Sequence, residues 1–324
     1  MSWTALAAMA AALLIPTVST AEDFVFHLPD DAQSAASLNA HLAAIDGLMP
    51  AWMHVSGPTD AIALEDDPGG RAAIGRRKGL PVLPLINNVS QGQWHGQDTA
   101  ALLASQQRRQ SFLSRLEAEL TALNAAGAIF DFETLPPGAQ ADYLSFLAEA
   151  QARFAKRGWR VAVAVPAGDP AWDLKAYGRA ADLVLLMAYD EHWGGGAPGP
   201  IASNPWFDAA VARAAAVIPA RKLLVGLAVY GRDWTQGGPS EDISAPEALA
   251  RARKSGVQPR RDPGSGNMGF TYTDQGRVHA VWYLDADTIG RQMALARGHG
   301  ARNFAFWRLG LEDPAVWSVF GRKP

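Results

Sequence analysis

Short apolar segments recur along the chain after residue 22, and amphipathic stretches with a helical period separate them. The clearest helical stripe runs through Phe112, Leu116 and Leu120. Eight segments have the length and the β-branched or aromatic content of buried strands: 24–28, 52–55, 81–86, 128–132, 161–165, 183–188, 223–229 and 303–307. Strands that alternate with helices indicate a parallel sheet, so eight units predict an α/β protein with a closed (β/α)8 TIM barrel.

One connection is much longer than an ordinary loop between a strand and a helix. About fifty residues separate Val229 from a helix expected near Asp285, and they include alternating segments at 270–273 and 278–283. We therefore predict a small β-rich insertion subdomain, residues 232–284, between strand seven and helix seven. It would interrupt a single barrel domain that spans residues 22–324.

The first residues have the pattern of an export signal. Residues 5–15 form a short apolar run, which Pro16 and the small-residue site 19–21 follow. The pattern predicts a signal peptide over residues 1–21 with cleavage after Ala21, and an uncleaved anchor is the alternative. We expect a periplasmic or extracellular protein without stable membrane insertion after cleavage.

Composition excludes several classes of function. The chain is 48% hydrophobic and 19% charged with a net charge of −3, which argues against nucleic acid as a partner. It has no cysteine, so disulfides and thiolate metal sites are excluded. No Gly-x-Gly-x-x-Gly motif follows the first strand, and the histidines lack ligand spacing. We expect neither a cofactor nor a metal.

The segment 127–133 is apolar and ends on two carboxylates, Asp131 and Glu133. Because neighbouring side chains of a strand point to opposite faces, these carboxylates share a face with Ile129 and oppose the two intervening phenylalanines. Carboxylates at the end of a strand that is apolar on both faces are costly to bury unless they are paired or take part in chemistry. A structural Asp or a helix cap is the alternative interpretation.

In a barrel the chemistry lies where the strands end. Aromatic rings beside polar groups at these ends suit sugars, whose C–H faces stack while their hydroxyls form hydrogen bonds. The candidate residues, in chain order, are Asn87, Trp94, Asp131, Glu133, Tyr189, Asp190, His192, Trp193, Tyr230, Arg232 and Trp307.

Four of these strand ends resemble the motifs of glycoside hydrolase family 18, which includes chitinases and peptidoglycan N-acetylglucosaminidases. The motifs are residues 130–133, 186–190, 226–232 and 306–310. The loop 189–203 and the segment 307–317 resemble the bacterial branch of spore-cortex lytic enzymes and of family 18 domains fused to polysaccharide deacetylases and glycosyltransferases. The resemblance covers roughly residues 23–321.

The resemblance implies roles for single residues. Glu133 would be the general acid, Asp131 would orient the acetamido group of the substrate, and Tyr189 would bind its carbonyl. Trp307 would lie under the reacting sugar, and the remaining rim residues are candidates for substrate binding. The family pattern Asp-Gly-x-Asp-x-Asp-x-Glu lacks two acids here, because Ala126 and Ile129 replace them. Proton sharing along the strand cannot run as usual, which affects rate and pH optimum.

Asp131 and Glu133 lie side by side, so they cannot flank a glycosidic bond as an ordinary retaining pair does. This favours substrate-assisted retaining cleavage of a glycan with N-acetylglucosamine: chitin, peptidoglycan or poly-N-acetylglucosamine. Two alternatives are a non-catalytic sugar-binding barrel and a glycosidase for glycans without acetamido groups. The latter would use Glu191 or Asp190 as nucleophile.

Overall fold

The computed structural model describes residues 21–320. The signal peptide predicted over residues 1–21 therefore lies, apart from its last residue, outside the described residues. The strands are β1 (Asp23–His27), β2 (Gly47–Pro50), β3 (Met53–Ser56), β4 (Ala61–Leu64), β5 (Leu85–Asn87), β6 (Val89–Ser90), β7 (Gln93–Trp94), β8 (Gly127–Asp131), β9 (Arg160–Pro166), β10 (Leu183–Met187), β11 (Leu223–Ala228), β12 (Gly231–Thr235), β13 (Ser240–Ile243), β14 (Arg260–Arg261), β15 (Met268–Asp274), β16 (Arg277–Tyr283) and β17 (Asn303–Trp307).

Helices connect most of the strands of the main sheet. They are α1 (Ala32–His41), α2 (Pro68–Arg76), α3 (Gly96–Ala104), α4 (Gln106–Ala122), α5 (Gln140–Phe154), α6 (Leu174–Ala180), α7 (Asn204–Ala215), α8 (Ala245–Lys254) and α9 (Ala286–Gly298). The predicted stripe of Phe112, Leu116 and Leu120 is buried on α4. No helix among residues 21–320 is both long and apolar enough to span a bilayer.

The main sheet has ten strands in the order β2-β1-β17-β11-β10-β9-β8-β5-β3-β4. All neighbours are parallel except β3 and β4. The sheet curls, and a parallel bridge between Leu48 and Val82 connects β2 with the chain that leads into β5. The predicted α/β class and the alternation of parallel strands with helices are confirmed.

The second parallel strand differs from the prediction. The strand beside β1 is Gly47–Pro50, whereas the predicted segment 52–55 falls in β3, which pairs with β4 and with the end of β5. Pro50 has no N–H for a sheet ladder, so the chain breaks between the two strands. Prolines at 81 and 84 shorten the third predicted strand to Leu85–Asn87 for the same reason.

The core has two layers, inside and outside the curled sheet. Ile129 on β8 packs inside with residues such as Phe26 and Leu85. Phe130 packs outside against Phe146 of α5, with ring centroids 4.9 Å apart. The predicted alternation of faces along this strand is therefore confirmed, and Asp131 lies directly above an apolar interior.

Between β11 and α9 the chain forms a second, antiparallel sheet in the order β13-β12-β16-β15-β14, with α8 beside it. It has a small apolar cluster of its own, which includes Ile243, Val281 and Tyr283. The buried Asp233 accepts hydrogen bonds from Arg251 and Tyr272. These contacts join α8 to the sheet.

Gly127 begins β8 in a conformation that side chains rarely adopt, with φ of +147°. A Cβ atom there would lie 2.0 Å from the carbonyl oxygen of Arg160 on β9. We expect Gly127→Ala to lower the free energy of unfolding by about 2 kcal/mol or more, because the strand that carries the carboxylates must shift. Denaturant titration measures this loss.

Gly138→Ala is the matched control, since a Cβ atom at that position would have no neighbour within 4 Å. It should change the free energy of unfolding by less than about 1 kcal/mol. Equal losses in the two variants would contradict this account of Gly127.

Candidate active site

The carboxyl ends of the parallel strands open onto a cleft of about 710 Å³, a volume typical of ligand sites. It contains most of the predicted residues. Those that line it are Asn87, Trp94, Asp131, Glu133, Tyr189, Asp190, Trp193 and Trp307. Three predicted residues, His192, Tyr230 and Arg232, do not line it.

Asp131 and Glu133 form one wall of this cleft. Asp131 is only 6% exposed, and its buried Oδ1 atom has no hydrogen-bond partner among residues 21–320. Burial raises the pKa of Asp131. Burial also raises the pKa of Glu133, and the negative charges of Asp131 and Asp190 raise it further. Glu133 is therefore suited to hold a proton at neutral pH and to donate it.

Tyr189 lies beside these carboxyls, and its hydroxyl is neutral. Burial and the three nearby carboxylates raise its pKa well above the ordinary value of tyrosine. Its ring meets the ring of Tyr230 edge-on, with centroids 6.5 Å apart. The hydroxyl of Tyr189 therefore keeps its proton at neutral pH and can donate a hydrogen bond.

Tyr230 and Arg232 hold the carboxylate of Asp190 in place. The hydroxyl of Tyr230 donates to Asp190 Oδ1 at 2.5 Å, and Arg232 Nη1 donates to the same oxygen at 3.0 Å. Arg232 also donates through Nε to Asp242 at 2.7 Å. Tyr230 and Arg232 therefore orient Asp190 and do not face the cleft themselves.

Glu191 and His192 form hydrogen bonds within the loop that follows β10. The two carboxylate oxygens of Glu191 accept the N–H of Ser203 at 2.6 Å and its hydroxyl at 3.0 Å. His192 Nδ1 lies 3.0 Å from the carbonyl of Ala197, and the ring packs against Gly199. The structure thus places the ring of His192 against residues 197–199 of its own loop and outside the lining of the cleft.

Aromatic rings occupy several sides of the cleft. Trp307 packs edge-on against Phe26 at 5.1 Å, so its position at the end of β17 is fixed. Trp94 and Trp193 are 38% and 61% exposed, although large apolar side chains are ordinarily buried. These surfaces are available for stacking on sugar rings.

The cleft continues beyond Trp307 into a second cavity of about 540 Å³. Trp307, Leu85 and Asn87 line both cavities. Asn87 Oδ1 accepts the N–H of Val89 at 3.1 Å and faces His54 Nδ1 at 2.6 Å. Two partners within the protein therefore hold the amide oxygen of Asn87.

Trp206 and Asp169 also line the cleft, although neither is among the predicted candidates. Trp206 lies in the first turn of α7, where its sequence context indicates only an amphipathic helix. Asp169 follows β9 and lies close to Glu133 in a third cavity, of about 230 Å³. Its position at a strand end is the signal that could have identified it. Within residues 21–320 no group of three or more His, Asp or Glu side chains could hold a metal ion.

Comparison with known proteins agrees with this geometry. The model of glycosyl hydrolases family 18 matches residues 83–312, which include both carboxylates and the loop of Tyr189. The chain belongs to glycosyl hydrolases family 18. It is a glycosidase, and the family resemblance drawn from the strand-end motifs is confirmed.

Relatives and solved structures are consistent with this assignment. The chain is 26% identical over 282 residues to the uncharacterized glycosylase YvbX of Bacillus subtilis, covering 81% of this chain and 82% of YvbX. It is 28% identical over 256 residues to the cortical fragment-lytic enzyme of Bacillus cereus, covering 75% of this chain but 59% of that enzyme. The crystal structure of a chitinase from Chromobacterium violaceum superposes with a TM-score of 0.84 at 25% identity, over 93% of this chain and 98% of the chitinase.

The raised pKa values of Asp131 and Glu133 predict how folding stability depends on pH. For carboxyls whose folded pKa exceeds the unfolded value, stability is intact at low pH and is lost as pH rises through the folded pKa. The double variant Asp131→Asn, Glu133→Gln removes both groups. We expect its free energy of unfolding to exceed that of the wild type increasingly between pH 5 and pH 9, by about 2 kcal/mol or more at the upper end.

Denaturant titrations across this pH range measure the difference. Asp274→Asn, at an exposed position on β15, is the control and should follow the wild type at every pH. A difference that stays constant or shrinks as pH rises would contradict the raised pKa values.

Proposed function

We propose that this family 18 glycosidase cleaves β-linked glycans that contain N-acetylglucosamine, by substrate-assisted retaining catalysis. One observation carries the proposal: Asp131 and Glu133 share one wall of the cleft, and the other carboxylates beside them have partners. Glu191 binds Ser203, and Asp190 binds Tyr230 and Arg232. Asp169 accepts the N–H of Ala171 at 2.9 Å. No carboxylate among the described lining residues is thus placed as the free nucleophile of an ordinary retaining pair.

In the proposed reaction, Glu133 donates its proton to the glycosidic oxygen while the carbonyl oxygen of the substrate's acetamido group attacks the anomeric carbon. The buried Oδ1 of Asp131, which has no protein partner, accepts the acetamido N–H. The hydroxyl of Tyr189 donates to the acetamido carbonyl. Glu133, now ionised, takes a proton from the water that opens the oxazolinium intermediate, and the anomeric configuration is retained.

The charge of the cleft bears on the choice of polymer. Beside the protonated Glu133, the lining residues include Asp131, Asp169, Asp190 and Glu191 but no Lys or Arg. A cleft of this charge disfavours anionic segments of a substrate. Uncharged stretches of N-acetylglucosamine are therefore the favoured ligand, as in chitin-like polymers or poly-N-acetylglucosamine. Glycan strands of peptidoglycan fit where they present such a stretch.

The domain plan belongs to the same proposal. We infer a (β/α)8 barrel with residues 232–284 as the insertion subdomain after strand seven. Arg232 at the start of β12 links this subdomain to the cleft, because it binds Asp190. The proposed substrates are extracellular polymers, which supports export through the segment 1–21.

A mass-spectrometric digest tests the proposal on chitooligosaccharides, peptidoglycan and poly-β-1,6-N-acetylglucosamine. We expect cleavage products from wild type and a loss of at least about 100-fold in turnover for Glu133→Gln, because no proton donor remains. Asp131→Asn and Tyr189→Phe should each lower turnover about tenfold or more. Glu191→Gln is the control and should keep most of the activity, since it contacts the loop and not the reacting sugar.

Loss of turnover in Glu191→Gln with activity preserved in Asp131→Asn would instead indicate a glycosidase that needs no acetamido group. Binding of all three glycans without any product would indicate a non-catalytic barrel.

The pH dependence of turnover gives a second test. Glu133 must be protonated to act, so turnover falls as pH rises through its pKa. Because the charge of Asp190 raises this pKa, Asp190→Asn should move the alkaline limb of the pH profile to lower pH, by about half a unit to one unit. Asp242→Asn, on the far side of Arg232, is the control and should leave the limb in place. An upward shift in Asp190→Asn would contradict the electrostatic argument.

A further inference from the structure

Asn88 makes a pair of hydrogen bonds to the main chain of Glu133. Its Oδ1 atom accepts the N–H of Glu133 at 2.9 Å, and its Nδ2 atom donates to the carbonyl of Glu133 at 3.0 Å. The side chain is fully buried. It lies between the end of β5 and the β6–β7 hairpin, outside the set of residues that line the cleft.

The contact between Asn88 and Glu133 lies just beyond the end of the pairing between β5 and β8. The last residue of β8 that pairs with β5 is Asp131, opposite Asn87. Glu133 lies beyond the ladder, so its peptide groups have no neighbouring strand. A primary amide carries both a donor and an acceptor, and Asn88 thus replaces the missing peptide group of a neighbouring strand.

The chain after Glu133 is confined as well. Thr134 has a φ of +53°, which β-branched residues rarely adopt. Gly96 at the start of α3 packs against it so closely that a Cβ atom there would lie 2.0 Å from the carbonyl oxygen of Thr134. The side chain of Asn88 and the backbone of Gly96 therefore both contact the main chain of the segment 133–134.

The Glu133 carboxyl itself forms no hydrogen bond with any residue in the described part of the chain. Its direction depends on its main chain, and hence on Asn88. The carbonyl of Asn88 also accepts the N–H of His95 at 2.8 Å, next to the hairpin that carries Trp94. One residue thus links the acid to an aromatic wall of the cleft.

We propose that Asn88 is the positioning residue of the general acid: it holds the main chain of Glu133 so that the carboxyl reaches the glycosidic oxygen. The inference rests on the proposed role of Glu133 as the acid. A small displacement of an acid costs rate more than affinity, because the substrate is still bound by other groups. Loss of Asn88 should therefore lower kcat and leave KM nearly unchanged.

Asn88→Ala and Asn88→Asp test the inference on the full chain with the best substrate of the digest. For Asn88→Ala we expect kcat to fall about tenfold to 100-fold at every pH, with KM within about threefold of wild type. In Asn88→Asp a protonated carboxyl can both donate to the carbonyl of Glu133 and accept its N–H. Activity relative to wild type should thus be nearly restored at low pH and fall as the new carboxyl ionises.

Other titrating groups near this position are Glu133, Asp131, Asp190 and His95. All four are present in wild type and in the variants, so the ratio of variant to wild-type activity at each pH isolates the new carboxyl. A loss of kcat in Asn88→Asp that does not depend on pH, or a change confined to KM, would overturn the inference.

Asn267 provides a matched control. It is equally buried, and its side chain bonds both the N–H of Ala202, at 3.3 Å, and the carbonyl of Ala202, at 2.7 Å. Asn267→Asp should lower Tm, with an activity ratio that stays constant with pH. The same pH-dependent ratio in both variants would mean that Asn88 is only structural. No product from wild type would instead refute the proposed function, whereas unchanged kcat in both Asn88 variants would refute this inference alone.

Discussion

The burial of two carboxyl groups at the end of β8 is the constraint on which the site depends. Ile129 lies directly below Asp131 inside the curled sheet, so water and counter-charges are excluded from that side. Asp131 keeps one oxygen without a partner, which is a cost to the folded chain. The pKa values of both carboxyls are raised as a result, which fits the proposed role of Glu133 as an acid near neutral pH.

Main-chain contacts of polar side chains keep this costly arrangement in place. Asn88 bonds the main chain of Glu133, and Glu191 bonds Ser203 across the loop that carries Tyr189. Arg232 joins that loop to the antiparallel sheet. The contacts of Asn88 and Arg232 join segments that are distant in sequence, and that of Glu191 closes a loop on itself. None of them occupies the carboxyls of Asp131 and Glu133, which remain open to the cleft.

Periodicity and motif order predicted the parallel strands, the opposed faces of β8 and the position of Asp131 and Glu133 at its end. These features follow from local rules, since the two faces of a strand alternate strictly. The break after Pro50 was missed because 52–55 is an equally good apolar run, and only pairing with β1 distinguishes the two. Loop geometry, which the spacing of residues does not encode, decides the rest. It sets the contacts of His192 and Glu191 within their own loop and the position of Trp206 in the cleft lining.

Ile129 limits the hydrogen-bond partners that are open to Asp131. With an acid at that position, Asp131 could exchange a proton with the strand below it, but an isoleucine offers neither donor nor acceptor. The hydrogen-bonding capacity of Asp131 Oδ1 must then be met from above, in the cleft. The acetamido N–H of the proposed substrate would meet it, whereas a sugar that carries only hydroxyls has no such fixed donor. Under the proposed function, ligand binding would therefore complete the environment of Asp131 in place of an acid on the same strand.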